Sequence, residues 1–191
     1  KTYMANCNFE ELAESRQSDR GYDSERTVER EKIERILAAA RLAPSACNSQ
    51  PWHLIVVDEP EKCREVADAL ASMGMNKFGS QAPCHIVLVQ ESPTFTARLG
   101  GWIKNKHFPL IDCGIMASYI TLAATAEGLG SCILGWFDEK KLRRTLNIPS
   151  GKRVLLDILI GYSTQPHRNK VRKNLDEIAT FNDYRSTTNG R

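Results

Sequence analysis

The chain has 191 residues, 41% of them apolar and 26% charged, with 26 Lys and Arg against 23 Asp and Glu for a net charge of +3. That length and balance suit one globular domain able to bury a core, or one subunit of a tight oligomer, and exclude a disordered or low-complexity chain. The small positive balance comes from intermixed acids and bases, with no aromatic-interleaved basic patch or binding motif, so no nucleic-acid partner is expected.

Six cysteines are spread along the chain without a C-x-x-C pair or a Cys-His cluster at zinc spacing. This implies a reducing compartment and no structural metal. No apolar signal segment opens the sequence, and no window reads as long enough to span a bilayer; the expected location is the cytoplasm, with no membrane partner. Without internal repeats or a linker, residues 1–191 read as a single domain with loose ends at 1–8 and 186–191.

Phe9 and Leu12 stand at helical spacing in the first segment, which leads into Arg16-Gln17-Ser18-Asp19-Arg20. If that piece is extended, Arg16, Ser18 and Arg20 point the same way. The plainer alternative is a solvated charged loop. From about Glu29 to Leu42, Ile33, Ile36, Leu37 and Ala40 specify an amphipathic helix, which Pro44 ends.

A loop of small polar side chains, Ser45 to Gln50, separates that helix from Pro51-Trp52 and a buried strand, Leu54 to Val57. Such a loop offers donors and acceptors without bulk and suits a flat, partly polar ligand, but the same residues also make an ordinary helix-to-strand turn. Asp58 is expected to cap a helix running from Pro60 to about Ser72. His85 to Val89 is a second strand, apolar at consecutive positions and so covered on both faces. Between Glu91 and Pro109 the pattern dissolves. That stretch reads as a mobile flap over a pocket, with Trp102, Phe108 and the more distant Trp136 as candidates to line it.

The longest helix is expected from about Leu110 to Gly128, with Ile111, Ile115, Tyr119, Leu122, Ala123 and Ala126 along one face. Few charges interrupt it, which predicts a largely buried helix. Gly114, Ala117 and Ser118 thin an adjacent face, an argument for a subunit interface. Gly128 and Gly130 break the helix before a short strand, Ser131 to Leu134, that ends at Gly135. Asp138 then caps a helix carrying Leu142 and Leu146. Val154 to Gly161 is the strongest strand signal. Gln165 to Lys173 is basic and extended, and Leu175 to Phe181 is a short terminal element.

The chemistry is not written in a familiar signature. Gly128-x-Gly130 follows a helix and precedes a strand, with Ile133 where a third glycine is required, so a dinucleotide fingerprint is disfavoured. No nucleoside-triphosphate loop is present. His53 and His85 border apolar strands, where a structural histidine is expected. Cys47 is the one thiol placed to be tested for reactivity, although packing is its expected role.

Five motifs in order do carry a specific resemblance. Ser15-Arg16-Gln17-Ser18-Asp19-Arg20, the Ala43 to Trp52 loop, Asp112-Cys113-Gly114-Ile115 leading through Ala123-Ala124 to Gly128-Leu129-Gly130-Ser131, Ile133-Leu134-Gly135, and Ile160-Gly161-Tyr162 together resemble the FMN-dependent nitroreductase family. The resemblance implies an α+β, three-layer fold with a central mixed, mainly antiparallel sheet flanked by helices, in an intertwined homodimer with FMN at the subunit interface. It also implies NAD(P)H as co-substrate and a small organic oxidant, a nitroaromatic or quinone, served by a ping-pong cycle with no residue marked as catalytic.

The same resemblance names a cofactor-binding set: Arg16, Gln17, Ser18, Arg20, Pro44, Ser45, Asn48, Gln50, Leu134, Gly135, Lys170 and Arg172. Arg16, Ser18 and a basic residue from Lys170 to Lys173 would hold the phosphate through charge-assisted bonds. Arg20 would lie near N1 and O2 of the ring, where negative charge collects on reduction. The Pro44 to Gln50 loop would contact the ribityl chain and ring edges, and the backbone N–H of Leu134 or Gly135 would face N5. Gln17 stands where relatives commonly have Arg or His, and Asp19 where a β-branched residue is usual, departures that imply weaker phosphate binding. A non-catalytic flavin-binding or sensor protein, or a dehalogenating or flavin-cleaving relative, is the alternative reading.

Overall fold

The computed structural model describes residues 8–92 and 106–184. The expected flap falls mostly in 93–105, so most of it, Trp102 included, lies outside the described residues, as do the expected loose ends at 1–8 and 186–191 apart from Asn8, which caps the first helix.

Four strands, β1 Trp52–Val57, β2 Cys84–Gln90, β3 Gly130–Leu134 and β4 Arg153–Gly161, form one sheet in the order β1-β2-β4-β3, every neighbour antiparallel. A single parallel bridge, Ser18 to Ser131, adds the extended segment after the first helix to the outer edge of β3. The helices are α1 Phe9–Ser15, α2 Arg30–Ala40, α3 Pro60–Leu70, α4 Phe108–Ala126, α5 Glu139–Thr145 and α6 Leu175–Ile178.

Side chains alternate across each strand, so the sheet feeds two cores. On one face α2 and α4 supply Ile33, Ile36, Met116 and Ile120 against Ile86, Leu88, Ile158 and Ile160. On the other, α3 and α5 supply Val66, Leu70 and Leu142 against Val57, Val87, Leu134 and Leu159. Helix, sheet, helix is the three-layer α+β arrangement the sequence implies. β2 and β4 occupy the middle, which explains why both read as continuous apolar runs. His85 and Asp157 interrupt those runs as a fully buried pair, Nδ1 to Oδ2 3.0 Å, so His85 has the structural place expected of it.

Three expectations require correction. The core-facing stripe of α4 is Cys113, Met116, Ala117, Ile120 and Ala124, while Ile111 and Tyr119 are exposed. The helix is apolar nearly all round, so periodicity could not select the inward face. Its length and composition also suffice for a bilayer, at a mean hydropathy of 1.4, contrary to the sequence reading, although 39% of the window is buried inside the protein. Finally, Asp58 does not cap α3. Glu59 takes the N-cap position ahead of Pro60 without a side-chain cap bond, and the Asp58 carboxylate instead accepts a hydrogen bond from Arg30 at 2.8 Å. Pro60 at the first helical position keeps the preceding residue extended, which moves the cap one place along.

Candidate functional site

Segment 16–20 is extended because α1 stops at Ser15 and the chain then joins the edge of β3, with Asp19 N–H donating to Ser131 O at 2.9 Å. The chain leaving β4 returns along it. Tyr22 bridges Ser163, Thr164 N–H donates to Gly21 O, and Arg20 N–H donates to the Gln165 side chain at 2.8 Å. A Cβ at position 21 would lie 3.0 Å from Thr164 Oγ1, so glycine there permits the close approach.

The two segments enclose a cavity of about 310 Å³ lined by residues 16–18 and 168–172. Arg16, Arg168, Lys170 and Arg172 meet there, and none of them forms an ion pair with a carboxylate among the described residues. Arg168 donates to Ser18 O, and Lys170 donates to Glu14 O and, at 2.6 Å, to Arg16 O. Partial desolvation, reinforced by the charges of Arg16 and Arg172, pulls the Lys170 amine below the ordinary lysine range. Glu14 is the carboxylate whose charge acts on Lys170, and the four cations still outnumber it, a balance that suits a multiply charged anion. Lys173, an alternative from the sequence, does not line the cavity.

Gln17 borders the same cavity, but its side-chain amide is engaged within the protein. Nε2 donates to Asp19 Oδ1 at 2.8 Å and to Pro166 O at 3.2 Å, and Oε1 accepts Arg168 N–H at 3.1 Å. Arg20 is exposed, and its guanidinium makes no hydrogen bond or ion pair among the described residues.

The polar loop is a separate feature, built at the start of α4. Ala46–Asn48 is one tight turn, and Cys47, Asn48 and Gln50 have positive φ of 52°, 49° and 45°. Asn tolerates that region, whereas Cys and Gln adopt it at a cost that neighbouring bonds must offset. Those bonds are present. Gln50 N–H donates to Ser45 Oγ at 2.9 Å, Ala46 N–H is shared between both oxygens of buried Asp112 at 3.2 Å, and Cys113 Sγ reaches Pro51 O at 3.6 Å. The loop is thus fixed by the first turns of α4, and Pro44, Asn48 and Gln50 are exposed.

Cys47 is also exposed, which corrects the packing role expected of it. Burial pushes the Cys63 and Cys113 thiols up to about 11, leaving them inert by comparison. Leu134 is buried at the end of β3, while Gly135 is exposed and followed by Trp136, 58% exposed.

Within one chain the structure therefore brings together Arg16, Gln17, Ser18, Lys170 and Arg172. The loop residues, Leu134, Gly135 and Arg20 lie outside that cavity's lining. Sequence reasoning missed Arg168 as a member of the cluster and Asp112 as the residue holding the loop. Both sat in stretches already singled out, the basic run and the Asp112-Cys113-Gly114 motif, but a side chain's direction there depends on the packing of α4 and the tail. Among the described residues no group of His, Cys, Asp and Glu is placed to hold a metal ion.

The family model described as Nitroreductase family matches residues 13–83 and 72–162, a span that contains the extended segment, the polar loop, α4 and the whole sheet. The chain belongs to the nitroreductase family. Among relatives of this nitroreductase-family chain, a protein of Archaeoglobus fulgidus assigned as an NADH dehydrogenase/NAD(P)H nitroreductase is 35% identical over 155 residues, 78% of this chain and 81% of that one. An oxygen-insensitive NADPH nitroreductase of Helicobacter pylori is 25% identical over 199 residues, covering 90% and 95%. Among solved structures, an FMN-dependent nitroreductase from Clostridium difficile superposes with a TM-score of 0.72 at 32% identity, covering 91% of this chain and 98% of that one.

Proposed function

We propose that this protein is an FMN-dependent oxidoreductase that passes hydride from NAD(P)H to a small organic oxidant of the nitroaromatic or quinone type. The observation that carries the reading is the cationic cavity of residues 16–18 and 168–172, in a chain of the nitroreductase family. Its donor set fits a phosphate dianion, since guanidinium forks and a hydroxyl line it and none of its cations forms an ion pair among the described residues.

FMN held there would supply the two-electron redox chemistry between NAD(P)H and the oxidant. The chain's own residues bind and orient. Arg16, Ser18, Lys170 and Arg172 hold the phosphate, and Gln17 acts from the cavity wall. Arg20, whose guanidinium has no hydrogen-bond or ion-pair partner among the described residues, supplies positive charge to the ring. The Pro44 to Gln50 loop offers Ser45, Asn48 and Gln50 with a backbone already fixed, and the end of β3 at Leu134 and Gly135 gives backbone donors.

The site is completed, in this reading, by a second copy of the chain in a homodimer with the FMN sites at the interface. Val171, Leu175, Ile178, Phe181 and Tyr184 in the tail, and Leu110 and Ile111 on α4, are exposed apolar groups that such a partner would cover. The chain acts as one domain over residues 1–191, in the cytoplasm.

The deciding experiment is an absorbance spectrum of the purified protein, identification of the released cofactor, and anaerobic mixing with NADH or NADPH. FMN release and bleaching of the flavin band are expected. A colourless protein that does not take up FMN overturns the reading, and FMN without bleaching by either donor leaves only a flavin-binding protein.

A further inference from the structure

Gln17 and Asp19 alternate with Arg16, Ser18 and Arg20, and the structure pairs these two intervening residues with each other. Asp19 is buried at 3% exposure, and its Oδ1 accepts both Gln17 Nε2–H at 2.8 Å and the Ser163 hydroxyl at 2.7 Å. No cation pairs with that carboxylate among the described residues. A buried carboxylate without a counter-charge persists only where hydrogen-bond donors surround it. Two of its donors come from Gln17 and the returning chain.

Position 130 makes the room. A Cβ there would fall 2.6 Å from Asp19 Oδ2 and 2.9 Å from Ser163 Cβ, so only glycine lets β3 carry the carboxylate on its edge. Gln17 also reaches Pro166 O and receives Arg168 N–H, which joins the Asp19–Ser163 contact to the start of the basic run. One connected set of hydrogen bonds thus fixes the segment bearing Arg16 and Ser18 against the segment bearing Arg168, Lys170 and Arg172.

We propose that Gln17, Asp19 and Ser163 form a positioning lock for phosphate recognition, setting the spacing at which the two cationic segments converge on one phosphate group. The proposal rests on reading the cavity as the FMN phosphate site. It also inverts the sequence expectation that Gln17 and Asp19 weaken phosphate binding: the two are a matched pair, whose charge and donors are turned toward each other and away from the anion.

The test is a comparison of FMN with riboflavin, which lacks the phosphate, by flavin fluorescence titration of the full chain stripped of cofactor. Asp19→Val removes the shared acceptor, and Asp19→Asn keeps an oxygen able to accept both bonds. Asp19→Val is expected to weaken FMN about tenfold or more while riboflavin affinity changes less than threefold, with Asp19→Asn near wild type. Equal losses for both flavins, unchanged FMN affinity, or a loss in Asp19→Asn as large as in Asp19→Val overturns the lock. Should Asp19→Val not fold, Gln17→Met supplies the same comparison from a half-exposed position, with the same FMN-selective loss expected and the same outcomes against it. A wild-type chain that binds neither flavin sinks the underlying reading instead.

Discussion

The cationic cavity and the Ser45 to Gln50 loop, the two parts of the proposed FMN site, are built in opposite ways. In the cavity the backbone is unstrained, and long charged side chains form the lining. Four cations line it, and desolvation, with the charges of Arg16 and Arg172 added, holds the Lys170 amine below the ordinary lysine range. In the loop the side chains are short and the backbone carries the strain, three non-glycine residues with positive φ held by Asp112 and Ser45. Charge can be placed by flexible side chains, whereas a flat ring edge requires a preset backbone. The cavity is therefore expected to govern affinity, and the loop the geometry of the reaction.

Replacing a cavity cation should give the largest effect. Arg16→Ala is expected to weaken FMN retention by about 1.5–3 kcal/mol, the range for a hydrogen bond to a charged group. FMN remaining after dialysis reads this directly, and retention equal to wild type would place the phosphate elsewhere. Asp112→Ala should leave Ala46 N–H without its acceptor and release the loop, costing about 1–3 kcal/mol. That loss should fall on kcat more than on FMN affinity, with Asp112→Asn largely rescuing it. Were affinity to fall and kcat to hold, the contrast between the two regions would be broken.

Arg20→Ala should keep FMN bound yet lower its midpoint potential in a spectroelectrochemical titration, since an unpartnered cation favours the reduced, more negative ring. An unchanged potential removes Arg20 from the ring. The smallest effect is remote from both regions. Glu127 is held below the usual carboxylate range chiefly by its hydrogen bonds from Arg35, at 2.9 and 2.7 Å, which tie the end of α4 to α2. A depressed folded-state pKa contributes stability that is present above the unfolded value and lost as pH falls through the folded one. Arg35→Ala should therefore lower Tm slightly at pH 7, and the difference from wild type should vanish in acid. A difference that persists in acid would point to packing.

Local signals were sufficient where a residue's neighbours in sequence decide its state. α2 followed from Ile33, Ile36 and Ala40 at helical spacing, α5 from Asp138, whose side chain accepts Lys141 N–H at 2.9 Å, and β2 and β4 from apolar residues at consecutive positions. The ordered motifs carried the three-layer fold and the family with them. Tertiary packing alone decided the rest. α4 offers apolar groups on every side, so only the sheet beneath it could choose Met116 and Ile120 over Ile111 and Tyr119. Gln17 and Asp19 look like solvated polar residues in sequence, and nothing local states that Ser163, 144 residues beyond Asp19, closes over them. The cluster of Arg16 with Arg168, Lys170 and Arg172 has the same origin, because two segments about 150 residues apart in sequence are brought side by side at the edge of β3 by the sheet.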